Sequence, residues 1–373
     1  LIEVDPVGIC NYQEQKCPDD PGSNTGAELT DITKMTGILL CEESGSTLRF
    51  LLPLAGALGL NASFEMKGRL PDRPMDEYET ILKQHGMNIS RKGNMLNCSG
   101  RLCSGDYELA GNISSQYFSG LLFSLPLLNG ESRIITKGAL ESADYFEMTK
   151  DVVRKAGITW SEIDNVMTIP GGQHYDSPGD ISVEGDYSSA AFFLCAGALS
   201  DFGICVTGLE PDSIQGDRSI CQILKQFGAM VYVLPGKKAV FVQKGKLKGT
   251  DVDASMIPDL IPVLSVVAAL SEGTTRIYNA HRLRMKESDR LKSTADMLTA
   301  LGADVHETDD GLVITGKSVL YGGVKVDPVN DHRIAMAAAI AAGACEKGVT
   351  IMDAQCVEKS YPAFWDDLAS VII

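Results

Sequence analysis

The chain has 373 residues, with 33 Lys and Arg against 49 Asp and Glu and a formal charge of −16. With 44% hydrophobic and 22% charged residues it is an ordinary globular protein, long enough for two domains. Its acidity argues against a generic nucleic-acid or anionic-membrane binder, since both need a cationic footprint.

The opening 40 residues hold Pro18-Asp19-Asp20-Pro21-Gly22 and no apolar helix, and Leu1 in place of Met suggests a fragment or a processed start. An apolar helix is then expected over Leu48–Leu58, followed by a strand over Asn61–Met66. The pair returns as Tyr117–Leu128 with Ser132–Thr136 and as Ala190–Leu199 with Ile204–Thr207. Two more follow, Leu260–Leu270 with Thr274–Tyr278 and Ile334–Ala344 with Val349–Met352. The glycines at these breaks, Gly59, Gly130, Gly203, Gly273 and Gly348, stand 71, 73, 70 and 75 residues apart.

Between the pairs lies an amphipathic helix closed by a glycine, a C-cap signal, and followed by another strand. Those glycines, Gly86, Gly157, Gly228 and Gly302, are spaced 71, 71 and 74. The chain therefore reads as αβαβ units of roughly 72 residues, too long a period for a solenoid. Extending the period backward places a further apolar helix before Leu1, so the first unit is expected to be incomplete. The turns Pro170-Gly171-Gly172 and Ser177-Pro178-Gly179 put the domain boundary at about 170–184. We expect an N-terminal domain over 1–183 and a C-terminal domain of three units over 184–373.

Ten cysteines without a C-x-x-C pair and five histidines without ligand spacing point to free thiols in a reducing, cytoplasmic setting and to no metal. No run of 18 apolar residues is present, so no membrane span is expected. The Gly-x-Gly-x-x-Gly and Walker A patterns are also missing.

Chemistry is concentrated at the starts of the apolar helices. Ser44, Ser114, Asp186 and Asp331 are ordinary N-cap types. Arg49 and Arg333, however, are expected in first turns, where a cation opposes the helix dipole. A phosphate or carboxylate bound there would resolve the conflict, and Gly45 would let it approach the backbone. The cluster His281-Arg282-Leu283-Arg284-Met285-Lys286-Glu287-Ser288-Asp289-Arg290 is expected to open the helix that ends at Gly302. It reads either as a solvated face or as a site in which Lys286 and Arg290, one turn apart, flank a usable carboxylate. Asp259, among Ile257, Pro258, Leu260 and Ile261, reads as a cap or as a partly desolvated base.

Several of these stretches together resemble one family. Gly45-Ser46-Thr47-Leu48-Arg49-Phe50, Arg69-Leu70-Pro71-Asp72-Arg73-Pro74, Ser114-Ser115-Gln116, Lys286-Glu287-Ser288-Asp289-Arg290, Asp331-His332-Arg333-Ile334-Ala335-Met336 and Lys359-Ser360-Tyr361-Pro362 are similar to 5-enolpyruvylshikimate-3-phosphate synthases. The likeness runs from about residue 37 to the C-terminus. It implies an α/β fold of two similar domains, each of three repeated units, six in all with the first incomplete here. It also implies transfer of the enolpyruvyl group of phosphoenolpyruvate to the 5-hydroxyl of shikimate-3-phosphate, in the pathway to chorismate and the aromatic amino acids.

By the same resemblance, Ser114, Ser115, Gln116, Ser142, Tyr145, Asp259 and Lys286 would hold shikimate-3-phosphate. Gly45, Arg73, Gln116, Arg290, Arg333 and Lys359 would hold phosphoenolpyruvate. Asp259, Glu287 and Lys286 would be catalytic, in a cytoplasmic monomer that needs no metal or cofactor and binds neither nucleic acid nor membrane.

The family's Pro-Gly-Ser-Lys-Ser motif has only a faint echo here, Pro21-Gly22-Ser23-Asn24-Thr25, with Asn for Lys. A catalytically impaired fragment or a non-catalytic binding relative therefore stays open as an alternative. The related UDP-N-acetylglucosamine enolpyruvyltransferase is disfavoured by Lys286–Arg290.

Overall fold

The structure, a computed structural model, describes residues 36–371. The Pro21–Thr25 echo and the segment expected to be an incomplete unit lie outside the described residues. The described chain opens with strand β1 (Thr36–Glu42), apolar helix α1 (Gly45–Leu58) and strand β2 (Asn61–Met66). Amphipathic helix α2 (Asp76–Gln84) and the strands β3 (Met87–Lys92) and β4 (Met95–Gly100) complete the series. It returns as β5 (Asp106–Ala110), α3 (Ser115–Ser124), β6 (Ser132–Lys137), α4 (Ala143–Lys155), β7 (Ser161–Ile163) and β8 (Val166–Ile169).

After an extended connection the series resumes without its first strand: α5 (Tyr187–Leu199), β9 (Ile204–Thr207), α6 (Ile220–Phe227), β10 (Met230–Leu234) and β11 (Ala239–Gln243). A whole series follows, with β12 (Asp251–Asp253), α7 (Ile261–Ala269), β13 (Thr274–Tyr278), α8 (Arg290–Ala300), β14 (Asp304–Glu307) and β15 (Leu312–Thr315). The last stretch holds β16 (Leu320–Gly322), β17 (Lys325–Val326), α9 (His332–Ala342), β18 (Cys345–Lys347), β19 (Thr350–Ile351) and α10 (Phe364–Val371).

The unit is thus βαβαββ, longer by an opening and a closing strand than the αβαβ expected. Three sheets share one order, β1-β2-β4-β3, β5-β6-β8-β7 and β12-β13-β15-β14. In each, the first two strands are parallel, as in Tyr107 opposite Ile134, and the apolar helix makes the crossover that parallel pairing requires. The other two strands form an antiparallel hairpin. Opening strands such as Asp251–Asp253 are too short to show a period-2 pattern, which is why they were not anticipated.

Buried apolar side chains form two clusters, one between Cys41 and Ile169 and the other between Tyr187 and Leu368. The apolar helices lie at their centres, and every residue of α7 is buried. Helix α1 packs closely on α3, where a Cβ on Gly120 would run into the carbonyl of Arg49. Pro126 ends α3 early, in the 3-10 turn Leu125–Leu127, because its nitrogen cannot donate. The amphipathic helices α6 and α8 close as expected, with Gly228 at φ 99° and Gly302 at φ 92°.

Candidate active site

Two adjoining cavities lie where the N-terminal ends of the helices meet. The first, of about 420 Å³, is lined by Ser114, Ser115, Gln116, Ser142 and Tyr145 and also by Arg49 and Arg282. Ser44 and Asp331 use their side chains to cap helices, accepting from the backbone N–H of Thr47 and Arg333. Ser114 and Ser142 occupy the same position before α3 and α4 but make no such bond. Two helix N-termini are therefore left uncapped by these side chains and available to an anion.

The second cavity, of about 500 Å³, is lined by Gly45, Glu287, Arg290, His332, Arg333 and Lys359 among others. Ser46, Arg73, Gln116, Asp259 and Lys286 line both. Gly45 is small for a reason of space, since a Cβ there would lie 2.9 Å from the guanidinium nitrogens of both Arg49 and Arg73.

Each cation of the second cavity is paired with an acid. Arg290, with 1% of its side chain exposed, donates to Asp331 at 2.8 Å, Asp259 at 2.7 Å and Glu287 at 2.6 Å. Arg333 donates to Asp259 at 3.2 Å, and Lys286 stands 3.5 Å from the same carboxylate. Lys359 donates to Glu43 at 2.8 Å, and Arg73 reaches Glu287 at 3.5 Å. The Arg73 Nε is buried with no partner among the described residues, a donor left for an anion.

Burial alone would raise the carboxyl pKa of Asp259, but Arg333, Lys286 and Arg290 override it and hold the group well below the usual range. Glu287 is likewise lowered against burial, by Arg290, Arg73 and Lys286. Burial pulls the Lys286 ammonium down and Arg290 and Arg73 add to this, with Asp259 and Glu287 opposing. Burial and then Arg333 lower His332 to about 4, so its imidazole is neutral near pH 7. Among the described residues no group of three or more His, Cys, Asp or Glu side chains is placed to hold a metal ion.

All the substrate and catalytic candidates named from the sequence line one or both cavities. Two local expectations need correction. Arg49 is not in the first turn of α1, which starts at Gly45; it reaches back along the helix, as helical side chains do. Its three nitrogens donate to Gln116 at 2.8 Å, the Pro74 carbonyl at 3.1 Å and the Met75 sulfur at 3.4 Å.

Lys286 and Arg290 do not share a helical face either. Residues His281–Met285 form a 3-10 helix, Lys286 is extended, and α8 starts at Arg290 after the Asp289 cap. That cap, accepting from the N–H of Lys292, was the sequence signal for the later start. Sequence reasoning also missed Glu43, Arg282 and Asp217. Tyr145 reaches Asp217 at 3.3 Å and Asp259 at 3.5 Å. Nothing around Asp217 in the sequence marks it.

The family model that matches is EPSP synthase (3-phosphoshikimate 1-carboxyvinyltransferase), over residues 23–368. The 3-phosphoshikimate 1-carboxyvinyltransferase of Clostridium acetobutylicum is 48% identical over 335 residues, covering 88% of this chain and 76% of that protein. That of Clostridium novyi is 43% identical over 333 residues, covering 89% and 76%. Among solved structures, the EPSP synthase of Acinetobacter baumannii superposes with a TM-score of 0.71 at 27% identity, covering 90% of this chain and 78% of that one. The enolpyruvyl transferase NikO of Streptomyces tendae shares the fold, with a TM-score of 0.69 at 19% identity, covering 87% and 75%.

Proposed function

The chain belongs to the EPSP synthase family, and from that premise we propose how its residues divide the work. The reaction is transfer of the enolpyruvyl group of phosphoenolpyruvate to the 5-hydroxyl of shikimate-3-phosphate, with release of phosphate. Shikimate-3-phosphate occupies the first cavity, on Ser114, Ser115, Gln116, Ser142 and Tyr145. Phosphoenolpyruvate occupies the second, near Gly45, with its charges on Arg73, Arg290, Arg333 and Lys359 and with Gln116 touching both ligands. One observation carries this reading: Asp259 and Lys286 line both cavities, so the hydroxyl of one ligand and the C2 of the other meet beside them.

The 5-hydroxyl oxygen attacks C2 while a proton is added to C3, turning the methylene into a methyl group. Asp259 accepts the hydroxyl proton, and Glu287, with Lys286 assisting, serves C3. The C2–O bond to phosphate then breaks as C3 returns a proton, restoring the double bond. The cations hold Asp259 and Glu287 far below neutral pH, which makes them weak bases. Substrate phosphate and carboxylate neutralise those cations, so the two carboxylates gain proton affinity only once the ligands are bound. The setting we propose is a cytoplasmic monomer. Free thiols at eight described cysteines favour the compartment.

The test is phosphate release from the two substrates together. Asp259→Asn and Glu287→Gln should each lower kcat by roughly 10²-fold or more while unfolding as cooperatively as the parent. A variant that keeps the parental kcat would overturn the role given to that residue.

A further inference from the structure

We propose that the free edge of strand β10 is a docking site for an extended protein segment with an apolar middle and acidic ends, which adds to the sheet as a further strand. β10 is the outer strand of the sheet β10-β11-β9 and pairs only with β11 among the described residues, so one side of its backbone is left open. The strands β3, β7 and β14 hold the same outer position in their own sheets. Each of those carries charge, with Arg91 and Lys92 in β3, Glu162 in β7, and Asp304 and Glu307 in β14. Charged side chains on an edge keep other chains from pairing with it. β10 reads Met-Val-Tyr-Val-Leu and has none. Its Met230, Tyr232 and Val233 are nonetheless 39%, 53% and 37% exposed. Tyr232 lies opposite Phe241 of β11 with 6.2 Å between ring centroids, an aromatic pair on which side chains of an added strand can rest.

Charge selects the occupant. Residues 225–248 contain six lysines and no acid, in a chain whose net charge is −16. Lys238 and Lys244 pair with Glu210 and Asp201. Lys225, Lys237, Lys246 and Lys248 are exposed and have no ion pair among the described residues. These four bracket β10. The Gly228 N–H that closes α6 donates to the Lys225 carbonyl, and the Lys248 N–H donates to the Phe227 carbonyl at 2.7 Å. A Cβ on Gly228 would strike the Lys246 carbonyl, so Lys225, Lys246 and Lys248 gather just before the strand. Lys237 lies in the 3-10 turn just after it. A second copy of this chain does not fit, because β10 set against β10 in either direction brings lysines against lysines. Single-stranded nucleic acid would use the lysines and Tyr232 but leave the open backbone groups of β10 unpaired, whereas an extended peptide satisfies them. None of these residues lines either cavity, so the surface is separate from the reaction proposed above.

The probe is a short fluorescent peptide of alternating valine and threonine with two glutamates at each end, and the control carries lysines in their place. By fluorescence anisotropy the acidic peptide should bind roughly tenfold or more tightly than the control. Hydrogen exchange at the amides of Met230–Leu234 should slow on binding by roughly tenfold. Lys225→Glu combined with Lys246→Glu should weaken the acidic peptide by roughly tenfold, and Tyr232→Ser by roughly fivefold, while both proteins unfold as cooperatively as the parent. No binding of the acidic peptide below about 1 mM, equal affinity for the two peptides, or protection only outside β10 would overturn the proposal. So would an oligothymidylate that binds where the acidic peptide does not. A dimer seen by sedimentation that Tyr232→Ser abolishes would give the edge to a second copy and overturn it as well.

Discussion

Asp217 has no part in the reaction scheme, yet it is 2% exposed and its Oδ2 accepts from both Ser188 Oγ and Tyr145 OH. Its Oδ1 is buried without a partner among the described residues. Burial first, and then Asp259, push its pKa up to about 6. An acid whose folded value lies above its unfolded value of 3.8 binds protons more tightly when folded. Its contribution to stability is whole below about 3.8 and is lost as the pH rises through about 6. Asp217→Asn removes the charge, and should raise stability at pH 8 by roughly 1–3 kcal/mol with little change near pH 4. Urea unfolding at the two pH values checks this, and an equal effect at both would contradict it. The candidates that line the two cavities were legible in the sequence because their motifs are contiguous. Asp217, Glu43 and Arg282 escaped because their importance lies in partners distant along the chain, such as Lys359, which is 316 residues from Glu43.

Helices α1 and α3 bring their parts of the site together through close backbone contact. Tyr78 OH donates to the carbonyls of Arg49 and Tyr117, stitching the two helices at 3.1 and 3.2 Å. Gly120 leaves the space for this, and Gly120→Ala would press a methyl group on the Arg49 carbonyl. That substitution should cost about 1–3 kcal/mol, as overpacking does, and should lower kcat by shifting Arg49 against Gln116. A lower urea midpoint at an unchanged m-value would bear this out, and an unchanged midpoint would refute it. At this scale the rhythm of apolar helix, glycine and strand was legible, since it depends on composition and local turns. The opening strands were not, because two to seven residues carry too little periodicity. The start of α8 was misplaced because Lys286 looked like a neighbour of Arg290 on one face. The Asp289 cap breaks that relation, and Asp259 lies between the two cations in space instead.

Across the whole molecule, a charge of −16 coexists with a site for two anions because the cations are gathered where the helix ends converge. They are neutralised by acids of the same chain, including Glu43 and Glu141 reaching across to Lys359 and Arg282. The repeat suggested two domains, and the buried apolar side chains of the described residues form two separate clusters. The pairing between them was not legible, since Arg73 meets Glu287 across 214 residues. The central claim is that one carboxylate and cation cluster between the two cavities adds a proton at C3 and then removes one. Its most direct test is the reaction in heavy water, with the vinyl group of product and recovered phosphoenolpyruvate followed by nuclear magnetic resonance. Deuterium should appear at C3 in the presence of both substrates and disappear in Glu287→Gln. Phosphate release with no deuterium at C3 would contradict the account.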